Sequence, residues 1–144
     1  MGTFPRVGYV PSPTPAYLEN HPVRLAAVRA RVAPSLVVQR SQGWAKLREE
    51  GSCRMCRRSA ALRPLTRHHL VPLAFFRRHP SVAPLRHADA NIVPLCRACH
   101  DLVEEDMEAR RMLRKLLGAA EAAFTVRLRG SAWFDRYYPP LRRA

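Results

Sequence analysis

The four cysteines of this chain form two Cys-x-x-Cys pairs, Cys53 with Cys56 and Cys96 with Cys99. Thiolates at this spacing can point at one metal ion, and two such pairs provide the tetrahedral four-sulfur site that zinc prefers. Two disulfides are the less favoured alternative, because no apolar leader segment directs the chain to an oxidising compartment. The spacing therefore predicts a structural Zn²⁺ site made of these four cysteines.

Five histidines lie between and just after these pairs, and three of them are candidates for chemistry: His68, His69 and His100. The first two end a predicted strand, where neighbouring side chains point to opposite faces, so one imidazole can hold a metal ion while the other acts as a base. His100 opens a predicted helix, and Glu104 follows four residues later on the same helical face. This pair of side chains can bind a divalent cation.

The chain carries a large excess of positive charge, with a formal net charge of +14 and a sequence pI near 11.2. A coding bias towards Arg, Ala and Pro would explain Arg in place of Lys, but not the shortage of Asp and Glu. We therefore expect a polyanionic partner, most often a nucleic acid, contacted largely through its phosphates. No apolar run is long enough to cross a bilayer, so we expect a soluble, cytoplasmic protein without a membrane partner.

Composition divides the chain into four segments. Residues 1–21 form a Pro-rich arm, residues 22–50 a helical extension, residues 51–118 the core and residues 119–144 an aromatic and basic segment. In the extension we expect helices over residues 23–32 and 36–50, the second ending at Gly51. In the last segment, packing is the favoured role for the aromatic residues from Trp133 onward, and stacking on unpaired bases is the alternative.

The core segment changes its pattern between the cysteine pairs. Residues 65–71 and 91–95 are predicted to be strands joined by a long irregular connection, and residues 101–117 are predicted to form one helix. Two strands followed by a helix make a ββα unit. The expected fold class is α+β, with this zinc-bound unit as its core and helices on its flanks.

The motif residues resemble a known family. The runs Arg67-His68-His69-Leu70-Val71-Pro72 and Asn91-Ile92-Val93-Pro94-Leu95-Cys96-Arg97-Ala98-Cys99-His100 are similar to those of HNH endonucleases. These enzymes form the ββα-metal (His-Me finger) class, and the resemblance is to the subgroup with two Cys-x-x-Cys zinc knuckles. It covers about residues 50–105 and implies a zinc-bound ββα-metal fold.

The resemblance also implies roles for individual residues. His69 would be the general base, and Asn91 would tie the two strands together and orient that base. His68 and His100 would bind a catalytic divalent cation, which could be Mg²⁺, Mn²⁺, Ni²⁺ or Zn²⁺. Glu104, the third expected ligand, stands where some relatives carry a further metal-binding histidine.

Other charged residues of the motif region receive less specific expectations. Arg67 and Arg97 are candidate nucleic-acid contacts. His79 and His87 fall in the long interval between His69 and Asn91, where we expect ordinary surface or phosphate-contacting residues.

Together these features predict an enzyme, a metal-dependent HNH endonuclease that hydrolyses DNA phosphodiester bonds. Two alternatives stay open at this point. One is a non-catalytic zinc module that only binds nucleic acid, and the other is an RNA-cleaving relative, because attack by water on a phosphodiester does not itself exclude ribose.

Overall fold

The computed structural model describes residues 40–141, so the Pro-rich arm and the helix expected over residues 23–32 lie outside the described residues. The described chain is α+β, as predicted, and its two strands and a following helix form the expected ββα unit. The elements are α1 (Trp44–Glu50), β1 (Leu65–His69), α2 (Leu73–Arg78), β2 (Ile92–Cys96), α3 (Arg97–Glu105), α4 (Met107–Lys115), α5 (Ala119–Arg129) and α6 (Ser131–Tyr137). Short 3₁₀ turns cover Arg40–Gly43, Pro80–Leu85 and Asp89–Asn91.

The two strands pair antiparallel in a register that gathers the motif residues. His68 lies opposite Val93 and His69 opposite Ile92, while Leu65 lies opposite Cys96. The helix α3 begins immediately after β2. The strand carrying the paired histidines is therefore fixed against the strand and helix that carry the second cysteine pair.

The connection between the strands is ordered, so the prediction of an irregular segment was wrong. It contains α2 and two 3₁₀ turns. Its side chains Phe76, Val82 and Leu85 are buried, and they share a core with Phe124 and Leu128 of α5. The apolar residues of this connection follow no regular period, and only packing against α5 shows that they belong to a core.

The helix predicted over residues 101–117 is divided into two. Asp106 has an extended backbone, and its carboxylate accepts a hydrogen bond from the backbone N–H of Glu108, which caps α4. The Arg110 side chain donates to the carbonyl oxygens of Val103 and Tyr137, at 2.9 and 2.7 Å. Aspartate is a weak helix former and a good N-cap, and here the capping role prevails.

The helix expected from residue 36 also starts later than predicted, within the described residues. A 3₁₀ turn precedes α1 directly, and its last residue, Gly43, has a φ of 91°. A Cβ atom at Gly43 would lie 2.8 Å from Cγ1 of Ile92, so β2 passes too close for a side chain there. The predicted end at Gly51 is correct, since this residue adopts a left-handed conformation with a φ of 70°.

The C-terminal helices complete both hydrophobic clusters. Phe134 and Tyr138 are buried beside Cys53 and Cys96, in a cluster that also contains Leu70. These two aromatic residues have the packing role that the sequence favoured. The segment after residue 118 is therefore part of the same folded unit as the strands.

A single carboxylate, that of Glu121, joins several of these elements. It pairs with Lys46 at 2.6 Å and with Arg54 at 2.8 Å, and it accepts from the backbone N–H of Gly118 at 2.7 Å. Lys46 in turn donates to the carbonyl oxygen of Ile92 in β2. Burial acts to raise the pKa of Glu121, but the hydrogen bond from Arg54 and the charge of Lys46 outweigh it and lower the pKa to about 2.

We expect Glu121→Gln to lower the free energy of unfolding at neutral pH by about 3 kcal/mol, because it removes the carboxylate that pairs with part-buried Lys46 and Arg54, and Arg54 then keeps only Glu50 as an ion-pair partner among the described residues. The folded-state pKa lies below the ordinary value of 4.5, so this stabilisation is present above pH 4.5 and is lost as the pH falls towards 2. Urea unfolding at a series of pH values should show wild type and variant converging at acid pH. The exposed Glu105→Gln is the control, and a constant difference between wild type and Glu121→Gln at all pH values would contradict the expectation.

Candidate functional site

The four cysteines are brought together as one cluster. All four are free thiols, and their sulfur atoms lie within 4.8 Å of one another. The Sγ atoms of Cys56 and Cys96 are 3.8 Å apart. A tetrahedron with metal–sulfur bonds of about 2.3 Å has edges of about 3.8 Å, so the cluster has the dimensions of a zinc site.

Backbone geometry positions each cysteine pair. The turn after α1 is closed by hydrogen bonds between Cys53 and the backbone of Arg57 and Arg58, and Arg57 adopts a positive φ of 68°. The N–H of Arg54 donates to the carbonyl oxygen of Pro94, which attaches this turn to β2. The second pair spans the end of β2 and the first turn of α3. The strand register thus determines where the four sulfurs meet.

The electrostatics of the cluster favour a bound cation. Burial acts to raise the pKa of Cys96, but hydrogen bonds from the backbone of Cys99, from Arg63 and from neighbouring thiols lower it to about 6. Burial and the adjacent sulfurs raise the pKa of Cys99. One thiolate therefore forms easily, whereas four deprotonated sulfurs need a metal ion to balance their charge.

His68, His100 and Glu104 form a second group whose ligand atoms are close enough to hold a metal ion. The Glu104 Oε2 atom is 3.7 Å from Nδ1 of His68 and 3.5 Å from Nε2 of His100. These separations are too long for strong hydrogen bonds and leave room for an ion between the donor atoms. The three residues expected to bind a cation are therefore adjacent in the structure.

The His68 ring is held by Tyr138 from the C-terminal end of the described chain. The Tyr138 hydroxyl donates to the carbonyl oxygen of Leu70 at 2.8 Å, so its oxygen must accept from Nε2–H of His68 at 2.9 Å. Nδ1 then keeps its lone pair. It is buried and, among residues 40–141, finds no hydrogen-bond partner. A buried nitrogen in this state is suited to bind a metal ion.

The tautomer of His100 is determined in the same way, but by a hydrogen bond at Nδ1 rather than at Nε2. The Thr66 hydroxyl donates to the carbonyl oxygen of Leu95 at 2.6 Å, so its oxygen accepts from Nδ1–H of His100 at 2.7 Å. The lone pair of His100 is thus on Nε2, the nitrogen closest to Glu104. Burial lowers the pKa of His68 to about 3 and also lowers that of His100, so both rings are neutral and able to ligate. Two imidazoles and one carboxylate suit Mn²⁺, Ni²⁺ or Zn²⁺ well.

The His69 side chain contacts that of His87, a residue of the connecting segment. Its Nε2 is 3.1 Å from Nδ1 of His87, and Nη1 of Arg67 is 3.4 Å from that same Nδ1. Arginine can only donate, so Nδ1 of His87 is an acceptor and His69 donates to it from Nε2. The lone pair of His69 is therefore on Nδ1. Burial, His87 and Arg67 together lower the pKa of His69 to about 3, which keeps the ring neutral.

His79 and His87, expected to be ordinary surface or phosphate-contacting residues, are partly exposed and also make contacts that the sequence did not predict. His79 stacks on Phe75 with ring centroids 4.2 Å apart, and His87 contacts His69. No spacing in the sequence links His87 to the paired histidines, because the contact depends on how the connecting segment folds back over β1.

Asn91 connects the ends of the two strands. Its Oδ1 accepts from the backbone N–H of Val71 at 2.7 Å, and its Nδ2 donates to the carbonyl oxygen of Arg86 at 2.9 Å. Its own carbonyl oxygen accepts from the N–H of Leu70. The side chain therefore holds the backbone just beyond His69 and contacts main-chain atoms rather than the imidazole.

The candidate site opens to solvent through a pocket of about 570 Å³. His69, His100 and Glu104 line it together with Arg67, Arg77 and Arg97. Arg97 is exposed and pairs with Asp101, whereas Arg67 donates to the carbonyl oxygen of Gln42 and lies over the Trp44 ring. Both arginines named from the sequence are thus at the pocket, although Arg67 also has a structural role.

Comparison with known protein families agrees with this geometry. Residues 53–105 match the family model described as HNH endonuclease. The matched range runs from the first cysteine of the cluster to the last residue of α3, so this part of the chain is similar to an HNH endonuclease domain. Comparison with curated proteins gave no match, and neither did comparison with solved structures. None of the helices between residues 40 and 141 is long and apolar enough to cross a membrane.

We expect the purified protein to contain one tightly held Zn²⁺ per chain, and Cys96→Ser to lose it. The free energy of zinc binding also stabilises the fold, so the variant should unfold at a markedly lower temperature. Elemental analysis and thermal unfolding measure the two effects. An unchanged melting temperature in Cys96→Ser, or a metal-free wild type, would show that the cluster is not a zinc site.

We expect Thr66→Val to weaken binding of a divalent cation at His68, His100 and Glu104 by about 10- to 100-fold, because the His100 ring loses the acceptor that sets its tautomer. Calorimetric titration of zinc-loaded protein with Mn²⁺ measures this affinity. The matched control is Thr125→Val, since that buried hydroxyl donates to the carbonyl oxygen of Glu121 within α5. Equal Mn²⁺ affinity in wild type and Thr66→Val would refute the role of Thr66.

Proposed function

We propose that this chain is a metal-dependent endonuclease that hydrolyses phosphodiester bonds of DNA. The observation that carries the proposal is the state of the three histidines. Each has one nitrogen bonded to a neighbour that leaves the lone pair on the other nitrogen. Two of these lone pairs are adjacent to Glu104, and the third belongs to His69 in the same pocket as His100 and Glu104.

In this proposal His69 accepts a proton from the attacking water. Only the neutral ring can do so, and the lowered pKa of His69 keeps it neutral throughout the physiological range. A base with so low a pKa would accept a proton weakly. An anionic phosphate in the pocket would favour the charged form and bring the pKa closer to the working pH.

The remaining residues hold the reacting groups in place. A divalent cation at His68, His100 and Glu104 would stabilise negative charge on the phosphate and on the leaving oxygen. Tyr138 and Thr66 keep the two ligand rings in the required tautomers. Asn91 keeps the backbone beyond His69 in register with β2.

The charge of the pocket supports a nucleic-acid strand as the substrate. Arg67, Arg77 and Arg97 line the same opening as the histidines, and arginine binds phosphate oxygens through paired N–H groups. The net charge of +14 supports the same class of ligand. RNA stays an alternative substrate, whereas a module that only binds nucleic acid would not need histidines held in ligating and basic tautomers.

We expect His69→Ala to reduce the cleavage rate by about 10²–10⁴-fold, the range for loss of a positioned base. Zinc content, cation affinity and DNA affinity should be unchanged, because His69 is outside both metal groups. Plasmid cleavage in Mg²⁺ or Mn²⁺ measures the rate, and added imidazole should restore part of it.

The control for this experiment is His100→Ala, which should lose cation affinity as well as cleavage and should not recover with imidazole. A His69→Ala variant as fast as wild type would exclude His69 as the base. Wild-type protein that binds DNA and cleaves none with any of the four candidate cations would favour the non-catalytic module.

A further inference from the structure

The pocket that contains His69, His100 and Glu104 is also lined by Tyr137, the last residue of α6. Tyr137 lies outside the range 53–105 that the family model matches, so that match assigns it no function. The fold brings the end of α6 to the same opening as α3, which carries His100 and Glu104. Tyr137 therefore shares its pocket with the candidate base and with two candidate ligands of the cation.

The ring of Tyr137 is held in place by its neighbours. Trp133, one helical turn earlier in α6, stacks on it with an angle of 9° between the rings and 4.9 Å between their centroids. The guanidinium carbon of Arg110 lies 4.5 Å from the centre of the ring, and Tyr138 meets the ring edge-on. Nε of Arg110 also donates to the backbone carbonyl oxygen of Tyr137 at 2.7 Å. The position of the hydroxyl is thus fixed before a ligand binds, which reduces the cost of binding one.

The hydroxyl of Tyr137 has no hydrogen-bond partner within residues 40–141, where Arg110 contacts only the ring and the backbone of this residue. Its neighbour Tyr138 differs, because that hydroxyl donates to Leu70 and accepts from His68. The Tyr137 side chain is half-buried and lines an open pocket. A tyrosine hydroxyl in such a position normally bonds to a polar group, and here a ligand in the pocket can supply one.

The charge of Glu104 shows on which side of the ring the hydroxyl lies. Burial and this charge both raise the pKa of Tyr137 above its ordinary value, against the opposing effect of Arg110. Since only the phenol oxygen titrates, the hydroxyl is close enough to the Glu104 carboxylate to be affected by its charge. The hydroxyl keeps its proton at neutral pH and is available as a hydrogen-bond donor.

The surroundings favour a phosphate oxygen as the acceptor. The Glu104 carboxylate is directed at His68 and His100, at 3.7 and 3.5 Å, and makes no hydrogen bond with Tyr137 in the part of the chain that the structure describes. A cation bound by these three residues would attract a phosphate to the same side of the pocket. An anionic oxygen is a stronger acceptor for a hydroxyl than a neutral one.

We propose that the Tyr137 hydroxyl donates a hydrogen bond to a non-bridging oxygen of the phosphate that is cut, and so acts as a further catalytic residue. The proposal rests on the proposed function, since the phosphate occupies the pocket of His69 and His100. The cation holds one side of the phosphate and Tyr137 contacts another. Tyr137 keeps its proton throughout the reaction, so no other group has to restore it.

The test is Tyr137→Phe, which removes the hydroxyl and keeps the ring between its neighbours. Cleavage is measured in zinc-loaded full-length protein with Mn²⁺, on plasmid DNA and on bis(p-nitrophenyl) phosphate, a small phosphodiester whose leaving group departs without a proton. Affinity for a short labelled DNA duplex is measured without added divalent cation. Mn²⁺ affinity and thermal unfolding are measured beside these, and Tyr138→Phe serves as the contrasting variant.

Tyr137→Phe should lower kcat/KM by about 10- to 100-fold on both substrates, the loss expected for one hydrogen bond to a charged acceptor. Its affinity for the duplex should fall by about 3- to 10-fold. Zinc content, Mn²⁺ affinity and melting temperature should equal those of wild type. Tyr138→Phe should instead weaken Mn²⁺ binding, because His68 loses the acceptor that sets its tautomer.

Three outcomes would overturn the proposal. Wild-type rates and duplex affinity in Tyr137→Phe would show that the hydroxyl contacts no phosphate. A loss on plasmid DNA alone would place the contact away from the reacting phosphate or on the leaving oxygen. Weaker Mn²⁺ binding by Tyr137→Phe would show that the hydroxyl supports Glu104 instead.

The proposed function fails in a different way. If wild type cleaves neither substrate while the duplex affinity still depends on Tyr137, the nuclease activity is refuted and the phosphate contact stands. If wild type cleaves both substrates and Tyr137→Phe cleaves them equally fast, the catalytic role of Tyr137 is refuted and the nuclease activity stands.

Discussion

A neutral imidazole has one N–H and one lone pair, so the partner of its first nitrogen decides what its second nitrogen can do. The candidate site of this chain depends on that constraint three times. Tyr138 determines the state of His68, Thr66 that of His100, and His87 that of His69. Each partner is itself restricted to the acceptor role. The hydroxyls of Tyr138 and Thr66 already donate to carbonyl oxygens, and Nδ1 of His87 already accepts from Arg67.

This constraint explains why the site needs more than the HNH motif. Thr66 belongs to β1, but His87 comes from the connecting segment and Tyr138 from the end of α6. The hydrophobic cluster around Phe76 and Phe124 holds the connecting segment in place, and the cluster around Leu70 and Phe134 holds the end of α6. The packing of the flanking elements thus sets the chemical state of the motif histidines.

Two polar centres tie these elements to the strands. The cysteine cluster joins the turn after α1 to the end of β2, and Glu121 joins Lys46 and Arg54 to the start of α5. Removing one partner from either centre should be destabilising, because thiolates would then lack a metal ion, or the part-buried Lys46 would lack its carboxylate. Both centres contact the turn after α1, one through Cys53 and Cys56 and the other through Arg54, and so attach the strands to the helices.

The sequence predicted those features that depend on short spacing. The cysteine pairs, the ββα order and the position of Glu104 one helical turn after His100 all follow from local periodicity. It did not predict Tyr138 or His87, which lie 70 and 18 residues from the histidines they contact. The helix break at Asp106 was missed because the apolar pattern continues through it, and the order of the connecting segment was missed because it depends on packing against α5.

The most direct measurement is long-range ¹H–¹⁵N correlation spectroscopy of the histidine rings at neutral pH, with zinc in the cysteine cluster and no other cation present. The account predicts neutral rings that carry the proton on Nε2 in His68 and His69 and on Nδ1 in His100. This pattern leaves the lone pairs on Nδ1 of His68 and His69 and on Nε2 of His100. A proton on Nδ1 of His68, or on Nε2 of His100, would contradict the account, because neither nitrogen could then bind a metal ion.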